Sequence, residues 1–293
     1  MLRFRSLGSG SAGNALLIEA SPATAPITCA GEPGSAADAA GGVGPVAQGD
    51  LIGGLPGGEV TRVLVDCGLG QRELQARLKA TGLQLADLHA IFVTHEHSDH
   101  VGCAPALAER LGIPLWLSHG TWQAIGQPAV GGLVRFASDG VTIAVSACCL
   151  LQPFTVPHDA REPLQLVVSD GQRRLGICTD LGHPSAHVVD SLQGCHALVL
   201  ESNHDPELLA ASRYPAFLKR RVAGSLGHLS NAKAAQLLAS VMHDDLALVV
   251  AAHLSEQNNR PDLALGELRS ALGLFSPQLL AATADQGCDW FRV

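Results

Sequence analysis

Charge is scarce in this sequence: only 16% of its 293 residues are Asp, Glu, Lys or Arg, well under the usual quarter. Long apolar runs are missing too. Leu246 to Ala252 is among the longest, far short of the roughly 20 residues that span a bilayer, which excludes a membrane-spanning helix. Nor does an apolar stretch follow the basic Arg3 and Arg5, where polar Ser6 to Ser11 stands instead; no secretory signal is read, and the cytoplasm is the expected compartment. Basic residues are outnumbered, 19 against 27, for a net charge of −8. That argues against a protein held to nucleic acid by bulk attraction, while leaving open an enzyme that acts on it. Eight cysteines form no Cys-x-x-Cys pair, so reduced and mostly buried thiols are expected. No repeat of solenoid length occurs.

What is present suffices for a core. With 47% hydrophobic residues, the chain can bury one large domain or two small ones. Residues 2–7 and 14–20 read as strands joined into a hairpin by the Gly-rich run Gly8 to Gly13. Residues 21–59 hold 10 Gly, 8 Ala and 5 Pro, a composition that buries too little apolar surface to offset chain entropy, so a disordered insertion is expected there, interrupting a single domain. From Val60 onward strands alternate with helices. Strands are read at 62–66, 90–94, 114–117, 141–145, 149–156, 163–170, 173–178, 196–201 and 246–252, and helices at 72–80, 101–111, 206–221, 231–242 and 261–271. This is the pattern of an α/β domain with layered sheets and helices.

Gly8 to Gly13 matches G-x-G-x-x-G, but Asn14-Ala-Leu-Leu-Ile-Glu after it reads as a strand where a dinucleotide site needs a helix. No nucleotide cofactor is expected. A serine-hydrolase elbow is also absent, since Ser9 and Ser11 lack the flanking pattern. The strong signal is Thr94-His95-Glu96-His97-Ser98-Asp99-His100 behind an apolar strand. His95 and His97, two apart, point the same way in extended backbone and can share a metal. Asp99 and His100 must point elsewhere, which suits a second ion a few Å off.

This H-x-H-x-D-H resembles the signature of metallo-β-lactamase-fold hydrolases, and the resemblance implies an αββα sandwich of two β-sheets flanked by helices. It also implies two divalent metal ions, zinc or manganese: His158 would join His95 and His97, His253 would join Asp99 and His100, and Asp180 would bridge. Asp66 resembles the carboxylate that orients a ligand histidine. Within the superfamily the sequence is similar to the YycJ/WalJ group, metal-dependent nucleases acting from the 5′ end of DNA. The shared stretches include Leu7 to Ala15, Val65-Asp-Cys-Gly-Leu, Val156-Pro-His-Asp-Ala, Thr179-Asp-Leu-Gly, Leu200-Glu-Ser-Asn-His-Asp, Tyr214-Pro, Gly227-His-Leu-Ser-Asn and Ala252 to Asn259. Gln165 stands where the group has Gly.

The resemblance implies DNA as substrate, single-stranded or 5′-phosphorylated, cleaved by a hydroxide held between the two ions. Catalytic roles are expected for Asp99 and for His228 with Glu201, a pair similar to the one in tRNase Z-type enzymes that delivers a proton to the leaving oxygen. His228 could instead cap the helix starting near Asn231. Substrate contacts are expected from Ser11, Asn14, His204, Arg213 and Lys219, the last two within the basic cluster Arg213, Lys219, Arg220 and Arg221, which a solvated helix face would explain equally well. A glyoxalase II-like thiolester hydrolase, or another small-molecule metallo-hydrolase, is the alternative, because such enzymes share all seven ligands. The 21 residues between His158 and Asp180 and the 72 between Asp180 and His253 leave no room for the large insertions of tRNase Z and RNase J-like enzymes.

Overall fold

The computed structural model describes residues 1–22 and 60–293. Strands β1 (Leu2–Gly8), β2 (Ala15–Ala20), β3 (Thr61–Val65), β4 (Ala90–Phe92), β5 (Leu115–Leu117) and β6 (Val134–Phe136) stand side by side in chain order. A second sheet takes β7 (Ile143–Ser146), β8 (Cys149–Thr155), β9 (Leu164–Ser169), β10 (Arg174–Cys178), β11 (Ala197–Glu201), β12 (Leu248–Ala252) and β13 (Gln278–Ala281), again in chain order. The last strand, β14 (Phe291–Arg292), returns to pair antiparallel with β1. Helices α1 (Gln71–Ala80), α2 (Ser98–Val101), α3 (Ala104–Leu111) and α4 (His119–Ala124) belong to the first half. Helices α5 (Ala186–Leu192), α6 (Pro206–Ala211), α7 (Ala216–Val222), α8 (Asn231–Val241) and α9 (Pro261–Leu272) belong to the second.

Period-two alternation explains how four layers form. In the first sheet Phe4, Ile18, Val63 and Phe92 point inward, against Leu151, Leu166, Ile177 and Val250 of the second. The neighbours Leu17, Leu64 and Ile91 point outward and meet Leu74 and Leu78 of α1 and Leu107 of α3. On the far face Leu198, Val249 and Ala251 meet Val188 of α5, Leu237 of α8 and Leu268 of α9. The expected αββα sandwich is the observed one. Among the described residues no helix is long and apolar enough to cross a membrane.

The layering places one functional edge. Strands β3 and β4 are parallel, as are β10, β11 and β12. Two successive antiparallel pairings make β8 parallel to β10 as well. The C-terminal ends of all six strands therefore open on the same side, where Asp66, His95, His158, Asp180, Glu201 and His253 fall.

Two helices expected from the sequence are broken. The stretch expected as 101–111 is α2 and α3, divided at Gly102, whose φ of +34° and position suit only glycine: an added Cβ would lie 2.2 Å from the Cys67 carbonyl oxygen. The stretch expected as 206–221 is α6 and α7, because Pro215 has no N–H to continue a ladder and disfavours the helical region at Tyr214. Short elements without strong periodicity, namely α4, α5, β6, β13 and β14, lie outside the expected set. The seven described cysteines are free thiols, with Cys67 and Cys103 Sγ atoms 3.3 Å apart.

The expectation of a disordered insertion at 21–59 lies outside the described residues, save Ser21 and Pro22. Its two ends are well placed, since Ala20 of β2 and Thr61 of β3 are direct antiparallel partners. Replacing Ser21 to Glu59 by a short Gly/Ser linker should thus shift Tm by only a few degrees, the scale of about 1 kcal/mol in a chain of this size. A collapse in a thermal scan would show that the segment packs on the sandwich.

Candidate metal centre

Beyond β4 the chain leaves the sheet, so His95 and His97 are delivered by a loop and not by extended strand. They still converge: His95 Nε2 lies 3.0 Å from His97 Nδ1, which lies 3.3 Å from Nε2 of His158. The other nitrogen of His158 is held 3.1 Å from the Gly227 carbonyl oxygen. One turn further, α2 presents Asp99 and His100 to a second group. Asp99 Oδ2 is 3.6 Å from His100 Nε2 and 3.7 Å from His253 Nε2. Asp180 stands between the groups, with Oδ2 3.0 Å from His100 Nε2 and Oδ1 4.0 Å from His158 Nε2. Within His95, His97 and His158, within Asp99, His100 and His253, and within His95, His100 and Asp180, the possible ligand atoms lie no more than 4.8 Å apart.

This donor set fits divalent cations. Asp180 Oδ2 and His253 Nε2 are buried and lack a hydrogen-bond partner, an arrangement that is costly for polar atoms unless an ion takes the place of water. The buried imidazole and carboxylate mixture is what borderline and hard divalent metals accept. The centre is a divalent-metal-binding site.

Its charges are held by buried, hydrogen-bonded neighbours. Asp66, at φ +61°, accepts from Thr94 N and Oγ1 and stands 2.7 Å from His100 Nδ1. A carboxylate only accepts, so that nitrogen carries the proton and Nε2 faces the centre. Burial disfavours the imidazolium of His100, but Asp180 and Asp66 outweigh it and raise its pKa well above the ordinary value. Burial likewise opposes charge on His253, yet Asp180, Asp99 and Glu201 lift it to about 10. His95, buried among other histidines, is pushed well down. For Asp180 burial would raise the pKa, and His253 and His100 instead hold it well below the carboxylate range.

Glu201, fully buried, is saturated by four donors. Its Oε1 accepts from Nδ1 of His228 at 2.7 Å and Nδ1 of His253 at 3.1 Å, and its Oε2 accepts from Leu181 N and Leu229 N. Burial works against its charge, but His228 prevails and the pKa falls to about 2. His228 itself is raised: Glu201 and Asp180 outweigh its burial. With Nδ1 bound to Glu201, Nε2 of His228 faces a cleft of about 340 Å³ above the centre. The helix-cap alternative for His228 is not what the structure shows, since Ser230 caps α8 by accepting from Lys233 N.

The expected substrate contacts divide. Ser11 lines the cleft. Asn14 is buried beneath the centre, with Nδ2 3.1 Å from His100 Nε2 and Oδ1 accepting from Gly10 N; it supports the centre and forms no part of the cleft wall. His204 is buried behind Glu201, and that burial lowers its pKa to about 4. Arg213 sits in the break before α7, off the wall, and Lys219 Nζ is tied to the Ala210 carbonyl. Arg221 is the basic residue on the wall, joined by Asp159, Tyr214, Leu218 and Val222, none of which was expected there. Tyr214-Pro and His158-Asp159 lie within the stretches quoted above, which was the available signal. Gln165 is buried with its amide donating to the Thr179 carbonyl, so it braces the strand end that carries Asp180.

Since Asp66 fixes the ring of His100, Asp66→Asn should weaken metal affinity by about 10- to 100-fold, the usual effect of removing such a partner. A chelator titration measures this; unchanged affinity would mean that Asp66 does not orient the ligand.

Residues 57–200 match the family model of the metallo-beta-lactamase superfamily. The chain is 34% identical over 211 residues to exodeoxyribonuclease YycJ of Bacillus anthracis, covering 71% of this chain and 80% of that protein. It is 30% identical over 207 residues to exodeoxyribonuclease WalJ of Streptococcus pneumoniae, covering 69% and 77%. Among solved structures, the metallo-β-lactamase fold protein YhfI of Bacillus subtilis aligns over 99% of this chain and 98% of its own, with a TM-score of 0.63 at 14% identity, a likeness of fold. The chain therefore belongs to the metallo-β-lactamase superfamily and, within it, to the YycJ/WalJ family.

Proposed function

We propose that this chain is a metal-dependent phosphodiesterase, a 5′→3′ exodeoxyribonuclease that cleaves single-stranded, 5′-phosphorylated DNA. Two ions, zinc or manganese, would be held by His95, His97 and His158 on one side and Asp99, His100 and His253 on the other, with Asp180 shared. The names of the curated relatives support a DNA substrate. The observation that carries the reading is the Glu201–His228 pair at 2.7 Å, with the His228 side chain 22% exposed to the cleft. A sugar alkoxide is a poor leaving group and needs a proton, whereas a thiolate with an ordinary pKa of about 8.5 leaves without one. A placed proton donor is therefore of more use to a phosphodiesterase than to a thiolester hydrolase.

When bound, divalent ions here supply a water of lowered pKa and offset the charge that gathers on the attacked phosphate. The protein's groups do the rest. Asp99, more open than Asp180 or Glu201, faces the cleft and orients the attacking water. His228, anchored through Nδ1, gives the proton on Nε2 to the leaving oxygen. Glu201, fixed by two backbone N–H groups, keeps the ring aimed.

Metal analysis should approach two ions per chain, and Asp180→Ala should lower both occupancies; a fully loaded protein with one ion would sink the two-metal assignment. The loaded protein should degrade 5′-phosphorylated single-stranded DNA in preference to RNA and to a thiolester, and turnover of the thiolester alone would give the function to the glyoxalase II-like alternative. His228→Ala should keep both ions while the rate on DNA falls by about 10² to 10⁴. A p-nitrophenyl phosphodiester, whose leaving group needs little protonation, should lose far less; equal losses on both would make His228 a positioning group.

A further inference from the structure

The helix beside the cleft is not a core helix. None of the seven residues of α7 is buried, while α8 buries six of its eleven. Leu218, Arg221 and Val222, three and four apart, share one face of α7 and line the cleft, and Tyr214, just before the helix, lines it with them. Phe217 beside them is 65% exposed. Within residues 213–221 stand four of the chain's 19 basic residues, in a protein of net charge −8. Exposed aromatics alongside clustered cations are the combination that binds single strands, stacking bases and tracking phosphates.

Arg221 is held ready. Its Nε donates to Asp159 Oδ2 at 2.5 Å, and its terminal nitrogens have no partner among the described residues. Asp159 in turn places Oδ1 3.5 Å from His158 Nε2, so the guanidinium is fixed close to the metal ligands. The cleft, of about 340 Å³, is at the small end of ligand sites.

Resting on the nuclease reading of this site, we infer that Tyr214 and Arg221 form a single-strand subsite: the Tyr214 ring stacks on the terminal base while Arg221 grips a phosphate through its free nitrogens. Asp159 acts as a positioning residue for that grip. The subsite favours unpaired ends, because a base held in a duplex stack has no free face for the Tyr214 ring.

The test is steady-state cleavage by the metal-loaded protein of a 5′-phosphorylated oligodeoxythymidylate, free or annealed to its complement, with anisotropy of a labelled strand read alongside. Wild type should show the lower KM on the free strand. Tyr214→Ala should raise that KM by about 5- to 150-fold, the worth of one stacked base, with a smaller effect on kcat, and should narrow the preference for unpaired DNA. Tyr214→Phe, which keeps the ring, should restore the wild-type KM. Arg221→Gln should flatten the log–log salt dependence of strand binding by about one, and Arg221→Lys should retain it. Equal KM in wild type and Tyr214→Ala, or equal damage from Tyr214→Phe, or an unchanged salt slope in Arg221→Gln, would overturn the subsite. A wild type that binds the strand through Tyr214 without cleaving it would instead remove the nuclease reading and leave the subsite standing.

Discussion

Two carboxylates with almost no exposed surface, Asp180 and Glu201, govern this structure. Placing a carboxylate in a protein interior is costly unless it is paired and hydrogen-bonded, and the surrounding fold supplies what each requires. Glu201 is answered by two imidazoles and two backbone N–H groups. Asp180 is answered only in part: one oxygen lacks a hydrogen-bond partner, as does Nε2 of neighbouring His253. Both atoms lie among the candidate metal ligands, so a bound cation would relieve that cost.

Bringing these groups together strains the backbone. Among the described non-glycine residues only Asp66, Gln127, Asp180 and His253 have positive φ, and three of these four stand at the strand ends around the centre. Each such conformation costs about 1–3 kcal/mol and persists only where its surroundings over-determine it. The over-determination is visible. The Cys67 N–H donates to the His100 carbonyl and the Gly68 N–H to the Asn14 carbonyl, while the Asn14 N–H donates to the Asp99 carbonyl. At Gly68 an added Cβ would lie 1.7 Å from that same Asp99 oxygen. Three backbone segments, from the Gly-rich turn, the end of β3 and α2, thus lock together beneath His100, and the Ser9 hydroxyl accepts from His253 N in the same turn. The Gly-rich run that looks like a phosphate cradle is a structural clasp.

What the sequence made legible follows from this. Metal chemistry admits few residue types, and a histidine or aspartate at the end of an apolar strand is conspicuous, so the ligand candidates and the two-sheet architecture could be read from short stretches. Helix boundaries could not, because Gly102 and Pro215 break helices for reasons of backbone contact and missing N–H groups that periodicity does not carry. The basic cluster was visible as a cluster, but which cation faces the cleft depends on helical phase, and phase is set only once α7 begins at Ala216. That selects Arg221 and turns Lys219 toward the Ala210 carbonyl. His204, expected as a substrate contact, is buried in the turn after β11.

The acidic balance of the chain is compatible with a polyanionic substrate for a local reason. The carboxylates nearest the cleft, Asp99, Asp159 and Asp180, are each engaged by imidazoles or by Arg221, and divalent ions would cancel more of their charge. A phosphate entering the cleft therefore meets cations first, although the protein as a whole repels it. On the proposed reading, affinity depends on a few placed contacts and not on a diffuse field, so the end of a strand in the cleft would be held more tightly than the rest of the nucleic acid.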